Sequence, residues 1–469
     1  MLNNDVLYLI FEEVQDNAKT LYSCLLVNKT WSEIIITILW KDPWKYLTKK
    51  QEKKGYKKKL LLNVIISHLS EESKNNLKIH EICPWKKSYQ KPLFDYIRFC
   101  KHLNLIAINR IITTINSKPK KTILLNEILK LFINGNTKVT HLYLPRQFDC
   151  QIHLIPGAKQ CFSEIKFLSF NTKLDDNILT GLIEICKSIK EFEFFISIRN
   201  NNHRVTKLIE TQKCLLNIRF QTSKNHDKSF CKILENSWIK HANTIQSLTT
   251  NRTFITNILS SFVNLKILEL AGNDPRENWN CLMNLRLPSL RILRSTYVST
   301  MALISLIENT GGHLIEINIG NFFVHDFYNK RLIQIIYKNC PNLKYLRLVL
   351  RSSNILEFEK LLIHCQHLDG LSIWYEDRLN WDNLFEILIK SSPTNLFKFK
   401  FYFSIAPELK SFESFFDNWK GRHPMLLQIC LLLDLKKILD YNFIKKYKVE
   451  GIIKKFDFCY YKDFEVLEW

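Results

Sequence analysis

The chain has 469 residues, enough to bury a large core, and 46% of them are apolar, which excludes wholesale disorder. Its formal charge is +22, with 67 Lys and Arg against 45 Asp and Glu, so acidic partners are the first class to weigh. No apolar run approaches the ~18–20 residues of a membrane helix; the 13 cysteines, odd in number and without a CxxC pair, read as reduced thiols.

Residues 1–47 come first in chain order. MLNNDVLYLIFEEV carries acids where a secretory leader is basic, so a cytoplasmic or nuclear location is expected. Val6, Leu7, Ile10, Phe11 and Val14 recur at helical spacing, with Asn3 or Asn4 as the cap. A second apolar block starts at Leu21, and ILW, ending at Trp40, closes the segment. So few residues have too little interior for an independent core, so part of their apolar surface must be covered by something else.

Leu2, Asp5-Val6-Leu7, Ile10-Phe11, Leu21, Cys24 to Lys29, Trp31 and Leu39-Trp40 together resemble an F-box, the helical module that docks on the Skp adaptor of cullin–RING ubiquitin ligases. The resemblance implies that Leu2, Val6, Leu7, Ile10, Phe11, Leu25, Val27 and Trp31 form the adaptor-binding surface or its immediate support. Asn3 departs from the Leu-Pro with which the family usually begins. The rival reading makes these helices only the N-terminal cap of a larger repeat domain.

Residues 48–135 read as a basic joint and a helical bridge. KKQEKKGYKKK, from Lys49, is a solvated charged face or a phosphate-binding or nuclear-localisation patch. LLLNVIISHL from Leu60 and LLNEILKLFI from Leu124 have helical patterns, and SKPKK from Ser117 is expected to turn the chain between two helices.

Residues 136–469 repeat. An apolar 0, +3, +5 pattern recurs with anchors at Val139, Ile165, Ile189, Leu215, Ile245, Leu265, Leu290, Leu314, Leu343, Leu368, Leu396 and Leu426, at intervals of about 20–30 residues. The +3 and +5 residues alternate along a short strand and share one face. LTGLIEICKSI and FEKLLIHC, lying between anchors, have the spacing of amphipathic helices, and NTGGHL from Asn309 supplies a helix exit. No single unit can bury its apolar face alone, so the units are expected to stack into an α/β solenoid of about 12 degenerate units plus a C-terminal cap, with parallel strands on the concave face and helices on the convex face. Cys186, Cys340 and Cys365, three residues before their anchors, are expected as small buried hydrophobes. The pattern resembles the cysteine-containing leucine-rich repeats; that family's second Cys or Asn, at +8, appears only as Asn273.

No catalytic motif is found: the chain lacks GxGxxG, GxSxG, HExxH and a Walker loop. His364, Cys365 and His367 lack a visible fourth ligand, so no metal and no cofactor is expected. A binding site would lie on the concave face, at positions +2, +4 and +6: Phe195, Arg219, Tyr345, Arg347, Trp374, Lys398, Lys400 and Tyr402. Their charge favours an acidic or phosphorylated target.

The resemblance as a whole implies a non-catalytic, substrate-recognition subunit of an SCF-type ligase, binding a Skp-type adaptor, and through it cullin, at one end and a target protein along the repeats. Two readings stand beside it: a repeat scaffold with no ligase role, and a basic solenoid that binds nucleic acid or anionic lipid. The spread of Lys, Asn and Ile along the chain looks like compositional bias, which disfavours nucleic acid as the partner.

Overall fold

The structure is a computed structural model that describes residues 3–47, 56–82, 92–113, 117–199, 201–223, 227–272, 274, 277–320, 326–375, 381–403, 407–431 and 441–460. Leu2, Asn273 and most of the basic joint lie outside the described residues. The chain divides into two compact units, Met1–Trp238 and Ile239–Trp469.

The first unit opens with helices α1 (Asn4–Glu13), α2 (Ala18–Leu25) and α3 (Lys29–Lys41). Asparagine starts all three. The side chains of Asn3, Asn17 and Asn28 accept hydrogen bonds from the backbone N–H groups of Asp5, Thr20 and Trp31, satisfying donors that a helix start leaves open. Leu7, Phe11, Leu21, Ile35 and Ile38 form a small buried core between the three helices. The trio is tied to the first strand through Trp44. Its indole N–H donates to the His102 carbonyl at 2.6 Å, and its ring packs on Phe132.

Four helices come next: α4 (Tyr56–Ser67), α5 (Glu71–Ile79), α6 (Leu105–Ile112) and α7 (Lys118–Phe132). Buried Glu127 of α7 accepts from Ser73 Oγ at 2.6 Å and Asn76 Nδ2 at 2.9 Å, which ties α7 to α5. SKPKK is not an inter-helix turn. Ser117 occupies the N-cap position of α7 without a side-chain capping bond, and Pro119 sits in the first turn, where its missing N–H costs nothing.

Among the described residues, five strands of this unit pair in parallel and in chain order: β1 (His102–Asn104), β2 (His141–Tyr143), β3 (Phe167–Asn171), β4 (Glu191–Ile196) and β5 (Asn217–Thr222). The register His102↔His141↔Phe167↔Glu191↔Asn217 places the anchors Val139, Ile165, Ile189 and Leu215 at one level. Strand β1 corrects the expectation of an all-helical bridge. Cys100, Leu103 and Leu105 occupy 0, +3 and +5 in the same register and are buried, so the repeat begins before residue 136.

In the second unit, nine strands among the described residues obey the same rule: β6 (Ser247–Thr250), β7 (Ile267–Ala271), β8 (Ile292–Thr296), β9 (Glu316–Ile319), β10 (Tyr345–Leu350), β11 (Gly370–Tyr375), β12 (Lys398–Phe403), β13 (Met425–Leu431) and β14 (Ile453–Tyr460). The helices between the later strands, such as Asp326–Asn339, Ile355–His364 and Trp381–Ser391, pack side by side on one face of the sheet. Both units are thus α/β repeats stacked in the manner of a solenoid. Gly311 and Gly312, at φ 68° and 83°, make the expected helix exit before Leu314, a backbone shape that costs most other residues energy.

The last anchor is corrected by two residues. Lys398 pairs with Leu426, so the residue level with Leu396 is Pro424; Leu427 and Ile429 fill +3 and +5. Cys186, Cys340 and Cys365 are buried free thiols, as expected. Cys430 is disulfide-bonded, against the expectation of reduced thiols throughout, and its register partner on β14 is Cys459.

Candidate functional site

Two surfaces collect the residues singled out from the sequence. The first is the outside of the α1–α3 trio. The amphipathic stripe of α1 splits: Leu7 and Phe11 turn into the trio's own core, whereas Val6 and Ile10 face solvent. Leu25 and Trp31 are half-buried against the core, with the Trp31 ring edge-on to Phe11 at 5.0 Å. Val27 is 57% exposed. Three further apolar side chains that one helical stripe does not reveal share this outside: Leu9, Tyr22 and Leu26, the last 87% exposed. Leu26 and Val27 occupy the α2–α3 link, which Ser32 Oγ fixes by donating to the Leu25 carbonyl at 2.6 Å. A short, well-capped trio therefore holds a small core inward and six large apolar groups outward. Isolated exposed apolar residues are ordinary; six on three short helices is a dense set.

The second surface is the strand face opposite the helices, described for each unit by itself. In the first unit His102 and His141 stack at 3.9 Å between ring centroids with an interplanar angle of 7°. The Phe167 ring continues the stack at 5.5 Å from His141. His102 Nδ1 lies 3.5 Å from Asp42. Burial, followed for His102 by the Lys41 and Lys45 charges and for His141 by His102 itself, pulls both imidazoles down to about 4. Burial, with Asp42 beside it, pushes the Tyr143 phenol up to about 12. Both imidazoles are therefore neutral near pH 7. Arg219 is exposed and pairs with Glu193 at 3.6 Å, and Phe195 is half-buried, 5.8 Å from the Arg146 guanidinium.

In the second unit, Glu269 of β7, Arg294 of β8 and Glu316 of β9 form one ion-pair network. Arg294 reaches Glu316 through Nε at 2.7 Å and Nη2 at 3.2 Å, and Glu269 through Nη1. Further along, the expected contact residues do lie in adjacent rows. Tyr345 and Lys398 are half-buried, with Lys398 Nζ 3.2 Å from Tyr345 Oη and 5.0 Å from its ring. Arg347, Trp374, Lys400 and Tyr402 are buried, because side chains from adjacent strands close over one another. Trp374 and Tyr402 stack at 5.3 Å and join Val349 and Cys430 in an apolar strip. Periodicity places these residues on the right face but carries no information on how their long side chains lie down.

His364 and His367 lie apart from any ligand set: His364 Nδ1 bonds the Lys360 carbonyl, and Cys365 is buried with its thiol directed at the Cys340 carbonyl. Among the described residues, no group of three potential ligands is arranged to hold a metal ion, and no helix is long and apolar enough to cross a membrane. No protein-family model matches the chain, and no curated protein is significantly similar to it.

Proposed function

We propose that the protein is the substrate-recognition subunit of an SCF-type ubiquitin ligase, with the α1–α3 trio docking on a Skp-type adaptor and the strand face of the repeats capturing a target. The single observation that supports the reading most is the outward apolar set Val6, Leu9, Ile10, Tyr22, Leu26 and Val27 on a trio that keeps Leu7 and Phe11 for its own core. Burying such a set against a partner is favourable at ~25 cal/mol per Å² of apolar surface. In this reading the chain supplies no catalytic group. It acts by proximity, holding a target lysine near the charged ubiquitin carrier and so raising the effective concentration. Cullin is reached only through the adaptor, and the site of action is the cytoplasm or nucleus.

The test is binding of purified full-length protein to the adaptor, by calorimetry, for the intact chain and for an Ile10→Asp, Leu26→Asp double variant. Substitutions at Leu7 or Phe11 would unfold the trio and answer nothing. The expected result is binding by the intact chain, weakened at least about tenfold in the variant with its helicity retained. Absence of binding by the intact, folded chain would overturn the proposal and leave a repeat scaffold.

A further inference from the structure

The strand face of the second unit carries a row whose members are aligned by register: Asn318 on β9, Arg347 on β10, Ser372 on β11, Lys400 on β12 and Gln428 on β13. Its centre is unusual. Ser372 is 0% exposed, and among the described residues its Oγ has no hydrogen-bond partner. It sits between Arg347 and Lys400, themselves only 5% and 8% exposed. Adjacent strands are about 4.8 Å apart, so the two cationic residues leave the backbone roughly 10 Å from each other with only a short serine between them.

Both cations also converge on one ring. The Arg347 guanidinium carbon lies 4.9 Å from the Tyr402 centroid, and Lys400 Nζ lies 5.5 Å from it. In the next row, Gly370 contributes no side chain, and Lys398 Nζ bonds Tyr345 Oη. Among the described residues no carboxylate forms an ion pair with Lys398 or Lys400. Buried positive charge is costly unless negative charge accompanies it. Here Arg347 and Lys400 flank a buried, unsatisfied hydroxyl in one register row, and their charged ends meet at the neighbouring Tyr402 ring, a set of donors suited to a tetrahedral oxyanion. A guanidinium fork, an ammonium and a hydroxyl are the donors that phosphate oxygens accept from.

We propose that Arg347, Ser372 and Lys400 form a binding site for a phosphate group, with Lys398 at its margin. Arg347 and Lys400 hold the oxyanion by charge-assisted hydrogen bonds, and Ser372 Oγ donates from the floor. The phosphate is either free or carried on a phosphorylated protein. The second source deepens the ligase reading, since recognition would then wait on modification of the target. The site itself does not depend on that reading, because its assay needs no adaptor.

The experiment titrates the full-length protein with inorganic phosphate, and separately with a phosphoserine peptide and its unphosphorylated twin, at constant ionic strength set by chloride. Binding is read by calorimetry and thermal unfolding. Three variants are compared with the intact chain: Lys400→Met, which keeps the stem; Ser372→Ala; and Lys390→Met, which removes an exposed lysine as a control for general attraction to a basic protein. The expected result is saturable phosphate binding, weakened at least about tenfold by Lys400→Met, weakened less by Ser372→Ala, and unchanged by Lys390→Met. Binding of phosphate but not of the phosphopeptide assigns the site to free phosphate; a preference for the phosphopeptide over its twin assigns it to a modified target. No saturable binding of either by the intact chain overturns the proposal, as does equal weakening in all three variants. Should Lys400→Met fail to fold, Ser372→Ala and the intact chain decide the matter.

Discussion

Acidification is expected to loosen the start of the strand ladder in the first unit. In the folded chain His102 and His141 are held down to about 4, against 6.5 when unfolded. Between those two values the opened chain binds protons that the closed one does not. Stability from this pair is therefore complete above pH 6.5, is lost as pH falls toward 4, and does not change further below it. A shift of 2.5 pH units for one imidazole corresponds to a ceiling of about 3.4 kcal/mol. Two features reduce what the pair delivers. Solvent reaching the ring edges screens it. Asp42, whose carboxyl is pushed up by burial, takes up a proton more readily in the folded state and returns some stability. A net loss of about 2 kcal/mol between pH 7 and 4.5 is the result, or roughly a 30-fold fall in protection. The assay is hydrogen exchange of the peptides covering β1 and β2, corrected for the intrinsic pH dependence of exchange. The control is a His102→Phe, His141→Phe variant, which retains stacking without titration. Protection that stays level from pH 7 to 4.5, or that falls equally in the variant, would refute the reasoning.

Three further outcomes are expected. Gly181→Ala places a methyl group on the His153 ring; helix propensity favours alanine by ~1 kcal/mol, but the overlap should outweigh it and leave a net loss of about 1–2 kcal/mol in urea unfolding. Asn28→Ala removes the cap that accepts from Trp31 N at 2.9 Å and should cost about 1 kcal/mol, read as lower thermal stability of the trio's helical signal. Cys186 and Cys365, pushed up to about 12 by burial, should resist iodoacetamide at pH 8 in the folded protein and label fully in denaturant, as mass spectrometry of the peptides will show; rapid labelling of the native chain would contradict their placement.

The repeat is legible because its signal is physical and local. Leu343, Leu346 and Leu348 are apolar since all three enter one core, and the same holds for Leu368, Leu371 and Ile373. Strand β1 is hidden because it is three residues long, two of them His102 and Asn104, and lies between helical patterns. The frame of β13 misleads because Pro424 fills the position where an apolar anchor is sought, while Leu426, two residues on, offers a plausible false start. In α1 the 3.6-residue period correctly finds a helix, but one stripe cannot separate what three packed helices bury from what they leave outside; Val6 and Ile10 read the same as Leu7 and Phe11. The His102–His141 stack and the Ser372 floor depend on register between strands distant in sequence, and no single-strand pattern encodes that.

The buried cysteines at the re-entry points have a consequence for how such a chain can vary. Cys161 directs its thiol to the carbonyl of Phe132, Cys186 to that of Phe162, and Cys365 to that of Cys340, each one repeat back. Gln212 does the same work by amide, donating to the Cys186 carbonyl at 3.0 Å. Each of these links ends on a backbone oxygen, a group every residue possesses. A repeat joined in this way asks nothing of the side chain it meets in its neighbour. Substitutions on one side of the joint need no matching change on the other, so the units can drift apart in sequence, Cys in one and Gln in the next, while the stack keeps its spacing.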